Sequence, residues 1–138
     1  MQNILKNICE NKKKELEYTK SKYSLSSLIK LLPEKKNRGF NKLLTNSQLR
    51  KKNNLIAEIK KSSPSAGLII KNYKPDIIAS EYEKSGVGAI SILTEKSFFN
   101  GQIDDMSLIS NKVNIPILRK DFIIDKYQIY ESKVFKAD

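Results

Sequence analysis

The chain contains no histidine, which removes the most common general base, the usual zinc ligand and every serine–histidine triad. Any acid–base chemistry must therefore come from lysine, aspartate, glutamate or tyrosine. The single cysteine, Cys9, excludes an internal disulfide and a cysteine metal cluster. It lies in an amphipathic helical pattern, which predicts a packed side chain rather than a nucleophile.

Long apolar runs are also missing. None approaches the roughly 20 residues that a membrane-spanning helix needs. The N-terminal segment "MQNILKNICENKKKELEY" has no apolar signal core and carries acidic residues, so export is not expected. We expect a cytoplasmic protein that does not associate with membranes, and the 138 residues suffice for one small domain with a hydrophobic core.

Arginine is scarce in a strongly basic chain. The net charge is +11, yet only three of the 26 basic residues are arginine: Arg38, Arg50 and Arg119. A basic surface can bind nucleic acid, but arginine is the residue that most often forms paired hydrogen bonds to phosphates and bases. We therefore favour a solvated, lysine-rich surface, and keep a nucleic-acid-binding module and an inactive remnant as alternatives.

Hydrophobic periodicity divides the chain into two parts. Residues 1–53 read as a helical extension, with an amphipathic helix from about Gln2 to Lys20 and a second short helix capped by Ser24. Residues 54–138 alternate short apolar strands with helical patterns, and the strands lie near 55–60, 88–94 and 115–121.

The strand spacing of about 30 residues is the size of a βα unit. Strands buried on both faces and separated by helices predict a parallel sheet in an α/β fold, either doubly wound or a (β/α)8 barrel. No strand is followed by a nucleotide-binding glycine fingerprint.

Charged side chains end all three strands. Glu58 and Lys60 alternate within an apolar run and share one strand face, although a structural ion pair would also explain them. Lys120 ends the third strand. In a (β/α)8 barrel, alternate strands supply side chains to the same layer of the barrel interior, so Lys60 and Lys120 can converge at the mouth of the barrel. Glu58 would then offset part of their charge.

The other charges at the strand ends, Glu95, Arg119 and Asp121, are interpreted singly as solvated residues. The loop "SSPSAG" after the first strand lets a ligand approach closely and offers the hydroxyls of Ser63 and Ser65. These residues predict a site for a small anionic, phosphorylated molecule.

The segments "LIAEIKKSSPSAGLI", "AISILTEKSFFNG" and "IPILRKDFIID" resemble the first three βα units of the indole-3-glycerol-phosphate synthase family. The resemblance runs through the whole chain, including "FNKLL" in the helical extension. It implies the first part of a (β/α)8 barrel preceded by that extension. It also implies closure of the indole ring of 1-(o-carboxyphenylamino)-1-deoxyribulose 5-phosphate, with release of carbon dioxide and water, in tryptophan biosynthesis. No metal or organic cofactor is implied.

The resemblance also implies roles for individual residues. Lys120 matches the family's general acid, and Lys60 matches the lysine that binds the substrate carboxylate. Glu58 matches the carboxylate that orients these groups. Ser63 matches a residue that lines the substrate site, and either Phe98 or Phe99 matches an aromatic residue that contacts the anthranilate ring.

A (β/α)8 barrel needs about 250 residues, so the sequence is interpreted as an N-terminal fragment of a carboxy-lyase. The family's second-half base and phosphate-binding loops have no counterpart in it. We expect the isolated 138-residue chain to be inactive. A fused or separate phosphoribosylanthranilate isomerase domain is considered as a partner, and nucleic acid and membrane are not.

Overall fold

The computed structural model describes residues 3–34, 37–50 and 54–138, without the side chains of 46–50. The elements of this part of the chain are α1 (Ile4–Lys22), α2 (Leu25–Lys30), α3 (Phe40–Arg50), β1 (Ile56–Ile59), β2 (Ser62–Ser63), β3 (Gly67–Leu68), α4 (Pro75–Lys84), β4 (Ala89–Leu93), α5 (Asp104–Ser110), β5 (Ile117–Lys120) and α6 (Tyr127–Val134).

The N-terminal helices form where the apolar spacing predicts them. On α1, Ile8 and Leu16 are buried, because residues about two turns apart share a helix face. At the start of α2, Ser24 Oγ accepts a hydrogen bond from the backbone amide of Ser27 at 3.2 Å. That bond satisfies one of the free amides of the first turn.

The three βα strands form one parallel sheet in the order β1-β4-β5. Every residue of β4 is buried, as expected for a central strand covered on both faces. Proline begins α4 as its first residue, and Gly86, with φ +82°, lies just beyond its end. Glycine adopts this left-handed conformation without steric cost. The observed strands lie within the ranges predicted from the sequence.

The main hydrophobic core lies between this sheet and helices α4 and α5. It contains Ile59 of β1, Ile90 and Ile92 of β4, Met106 of α5 and Ile117 of β5, each at most 1% exposed. A second cluster joins Leu16 of α1 and Leu28 of α2 to Tyr127 of α6. The helical extension therefore packs against the third βα unit.

One structural detail was not predicted from the sequence, and one predicted boundary falls on residues that the structure does not describe. The "SSPSAG" loop contains a short antiparallel hairpin, in which Ser62 pairs with Leu68 and Ser63 with Gly67. A Gly67 φ of +65° allows this tight turn, and two-residue strands leave too little periodicity to be seen in a sequence. The predicted boundary after residue 53 lies outside the described residues.

Among the described helices, none combines the length and the apolar character that crossing a lipid bilayer requires.

Candidate active site

Glu58 lies between two lysines at the carboxyl ends of the sheet strands. Lys60 Nζ is 2.8 Å from Glu58 Oε1, and Lys120 Nζ donates a hydrogen bond to Glu58 Oε2. The strand register sets Glu58 beside Ser91 of β4 and Ser91 beside Leu118 of β5. Lys120 lies two residues after Leu118 and therefore shares its sheet face with Glu58.

The electrostatics of this cluster favour an ionised carboxylate. Partial burial would raise the pKa of Glu58, but hydrogen bonds from Lys120 and Lys60 and their positive charges outweigh it and lower its pKa. The side chains of Glu58, Lys60 and Lys120 are 26%, 35% and 55% exposed. All three can therefore be reached from solvent. The arrangement can bind an anionic group and can supply a proton from an ammonium group.

Two aromatic rings lie together at the same end of the sheet. The ring centroids of Phe99 and Phe122 are 6.5 Å apart, with the planes inclined at 37°. Such a tilted pair is a favourable aromatic geometry. Phe98 and Phe99 are both half-buried, but the recorded ring contact involves Phe99. Phe122 was not predicted from the sequence, although its position two residues after Lys120 was a signal.

The two predicted serines are not joined to the glutamate–lysine cluster by a recorded bond. Ser63 Oγ accepts a hydrogen bond from the amide of Ala66 at 3.1 Å and lies 3.4 Å from Ser65 Oγ. Ser65 is exposed on the hairpin. Ser62 is the buried serine of this segment, and its hydroxyl accepts a hydrogen bond from Asn100 at 3.1 Å.

The interpretation of Glu95, Arg119 and Asp121 as solvated charges is wrong. Glu95 is 1% exposed, and the side chains of Asp121 and Arg119 are 1% and 7% exposed. Asp121 Oδ2 binds Arg119 Nη2 at 3.0 Å, and Asp121 Oδ1 binds Lys12 of α1 at 3.1 Å. These charges are buried because each has partners that replace water.

The Lys12–Asp121 pair has matching pKa shifts. Burial would raise the pKa of Asp121, but the positive charges of Arg119 and Lys12 outweigh it and lower the pKa. Burial would lower the pKa of Lys12, but the charge of Asp121 and the contact with Glu15 outweigh it and raise the pKa. Both groups are therefore held in their charged forms.

Arg38 and Arg119, the arginines whose side chains the structure describes, form contacts within the protein. Arg119 also donates to Glu131 at 2.9 Å. Arg38 Nε binds Asp138 at 2.7 Å and joins the helical extension to the end of the described chain. Neither guanidinium is free to read a phosphate backbone, which weakens the nucleic-acid interpretation. In the described part of the chain, no group of three acidic, cysteine or histidine ligands could hold a metal ion.

The sequence of the chain is similar to those of known proteins. Residues 5–138 match the family model described as indole-3-glycerol phosphate synthase. The chain belongs to this family. Curated relatives named indole-3-glycerol phosphate synthase include proteins from Endomicrobium trichonymphae, with 53% identity over 78% of the chain, and from Prochlorococcus marinus subsp. pastoris, with 44% identity over 99%. The relative from Aliarcobacter butzleri is 41% identical over 98% of the chain.

The chain spans about half the length of these curated relatives. The aligned segments cover 41%, 46% and 52% of the three proteins. Synthases of this family are (β/α)8 barrels, and the three-stranded parallel sheet with its flanking helices is consistent with part of such a barrel.

Proposed function

We propose that this chain forms the first part of an indole-3-glycerol-phosphate synthase, a carboxy-lyase of tryptophan biosynthesis. The complete enzyme closes the indole ring of 1-(o-carboxyphenylamino)-1-deoxyribulose 5-phosphate and releases carbon dioxide and water. The observation that carries the proposal is the Glu58 carboxylate shared by Lys60 and Lys120. Family membership over nearly the whole chain supports it independently.

The proposed roles follow from charge and position. Lys120 acts as the general acid that protonates the ribulose carbonyl oxygen while the ring carbon attacks. Lys60 binds the substrate carboxylate, since an ammonium is the direct counterpart of that anion. Glu58 orients both lysines and offsets one of their charges, which limits the repulsion between two neighbouring ammonium groups.

The aromatic part of the substrate needs an apolar wall. We propose that Phe99, rather than Phe98, packs against the anthranilate ring, because Phe99 pairs with Phe122, which follows Lys120 by two residues. Ser63 and Ser65 are proposed as polar lining of the substrate site on the hairpin that follows β1. The reaction is proposed to need no cofactor.

The phosphate group and the final proton removal require residues beyond these three strands. The relatives carry about as many residues again, and we propose that the isolated 138-residue chain is inactive. Residues 1–53 are proposed as a helical extension and 54–138 as barrel units. Cytoplasmic location, and association with a fused or separate phosphoribosylanthranilate isomerase domain, stay predictions.

The test uses a complete enzyme, built from residues 1–138 followed by the second half of the relative from Aliarcobacter butzleri. Formation of the indole chromophore from 1-(o-carboxyphenylamino)-1-deoxyribulose 5-phosphate measures kcat and KM. We expect Lys120→Ala to lower kcat by about 100-fold or more, the usual contribution of a general acid. Lys84→Ala removes an exposed lysine of α4, 72% exposed, and is the matched control.

Three results would contradict the proposal or one of its parts. An inactive parent enzyme that is folded by circular dichroism would refute the synthase assignment. Unchanged kcat in Lys120→Ala would refute the role of Lys120. Product formed by the isolated 138-residue chain, and abolished by Lys120→Ala, would show that these three strands suffice for catalysis.

A further inference from the structure

The segment from Glu95 to Gly101 after β4 closes upon itself. The amide of Gly101 donates to the carbonyl of Glu95 at 2.8 Å, and the amide of Asn100 donates to the carbonyl of Lys96 at 3.1 Å. A Cβ added to Gly101 would lie 2.4 Å from the carbonyl oxygen of Leu93. The loop therefore returns in direct contact with the end of its own strand, and only glycine fits there.

The Glu95 carboxylate fills the interior of this loop. Its Oε1 accepts a hydrogen bond from the amide of Ser97 at 3.1 Å, and its Oε2 accepts from the amides of Phe98 at 2.7 Å and Phe99 at 3.1 Å. Glu95 is 1% exposed. A buried carboxylate without partners is strongly unfavourable.

Those three amides are the recorded hydrogen-bond donors to this carboxylate, and no described lysine or arginine forms an ion pair with it. Three successive backbone amides that converge on one anion must keep one backbone conformation. The carboxylate thus constrains the backbone of Ser97, Phe98 and Phe99 from inside the loop.

The constrained segment carries the aromatic ring of the candidate site. Phe99 is the last residue whose amide Glu95 binds, and its ring faces Phe122. The outer side of the loop is tied by two side-chain contacts, from Ser97 to Glu15 of α1 at 2.7 Å and from Asn100 to Ser62 at 3.1 Å. Glu95 differs from them because a single buried side chain binds three amides of the loop.

We propose that Glu95 is a positioning residue for substrate binding. Its carboxylate holds the backbone of the loop so that the Phe99 ring stands beside Phe122 and receives the aromatic ring of the substrate. Glu95 itself touches neither substrate nor reacting atoms. This inference rests on the proposed synthase function and adds to it a residue that acts through Phe99.

The principal variant is Glu95→Gln, which keeps the volume but replaces one acceptor oxygen by an NH2 group that faces backbone N–H groups. In the 138-residue chain, amide hydrogen exchange at Ser97, Phe98 and Phe99 should accelerate by about tenfold or more as these bonds weaken. In the complete enzyme, KM should rise by up to about tenfold, the equivalent of one lost aromatic contact. The kcat should change by less than about threefold, because the lysines are untouched.

A double-mutant cycle separates positioning from general stability. If Glu95 acts through Phe99, Glu95→Gln should raise KM in the parent enzyme but have little further effect in a Phe99→Leu background. Glu81→Gln, an exposed glutamate of α4, is the matched control and should leave KM and amide exchange unchanged. If Glu95→Gln does not fold, Glu95→Asp keeps the charge, shortens the reach and should show the same pattern more weakly.

The outcomes distinguish this inference from the function beneath it. A folded parent enzyme without synthase activity refutes the proposed function, and the role of Glu95 in substrate binding with it. An active parent whose KM is unchanged by Glu95→Gln, or whose KM increase persists in the Phe99→Leu background, overturns the role of Glu95 alone. A coupled increase in KM with faster loop exchange supports it.

Discussion

Replacing Asp121 by asparagine tests whether the buried charges at the end of β5 stabilise the fold. Asp121 forms ion pairs with Lys12 at 3.1 Å and with Arg119 at 3.0 Å, and it accepts a hydrogen bond from the hydroxyl of Thr94 at 2.8 Å. At the 3.1 Å separation of Lys12 and Asp121, and an effective dielectric constant of about 20, the Coulomb attraction is about 5 kcal/mol. Desolvation of the two ions offsets several kcal/mol of it.

The removal of one partner is costlier than the net value of the pair. In Asp121→Asn, Lys12, with a side chain 6% exposed, keeps only Glu15 as a recorded counter-ion. Breaking a buried pair in this way costs about 3–5 kcal/mol. For a protein of 150–250 residues, each kcal/mol lowers Tm by about 2–4 °C, so we expect a fall of roughly 10 °C.

The sign of a second substitution makes the test stringent. Lys12→Met should destabilise the parent enzyme, because it leaves Asp121 without one counter-ion. The same substitution should stabilise Asp121→Asn, because it removes an ammonium group that has lost its main partner. Urea unfolding of the complete enzyme, followed by circular dichroism, gives the four free energies of unfolding. Additive effects, within about 0.5 kcal/mol, would refute the reasoning.

Three further results follow from the described contacts. The pKa of Glu58 is lowered in the folded state, so the ionised carboxylate stabilises the fold at a pH above its unfolded pKa of about 4.3. This stabilisation is lost as the pH falls through the folded pKa. The difference in free energy of unfolding between the parent enzyme and Glu58→Gln should therefore shrink below about pH 4. Gly101→Ala should cost about 1–3 kcal/mol by thermal unfolding, because the new Cβ would lie 2.4 Å from a backbone oxygen at the end of β4; an unchanged Tm would contradict this. Arg38→Met should cost about 3 kcal/mol, since it removes the counter-ion of Asp138, whose 4%-exposed side chain then keeps only the backbone amides of residue 38 and Ile117. Lys84→Met, at an exposed pair, should change stability by less than about 0.5 kcal/mol.

Some contacts of the candidate site could be predicted from the sequence, and others could not. The alternation of Glu58 and Lys60 within an apolar strand was visible because strand side chains have a period of two. The layer rule for alternate strands predicted that Lys120 would approach them, and the two lysines do meet at Glu58. Ser63 and Ser65 were named for their hydroxyls, but their recorded bonds stay within the hairpin.

By itself, the sequence determined the positions of the three sheet strands, the parallel α/β arrangement and the family, because these depend on local periodicity and on contiguous motifs. Only the tertiary structure decided which strand-end charges are buried. The partners of Asp121 include Lys12 and Thr94, which are distant along the chain. Glu95 is buried because its own loop folds round it. A charged side chain is buried or solvated according to the groups that surround it in space. The neighbouring residues in the sequence do not determine which groups those are.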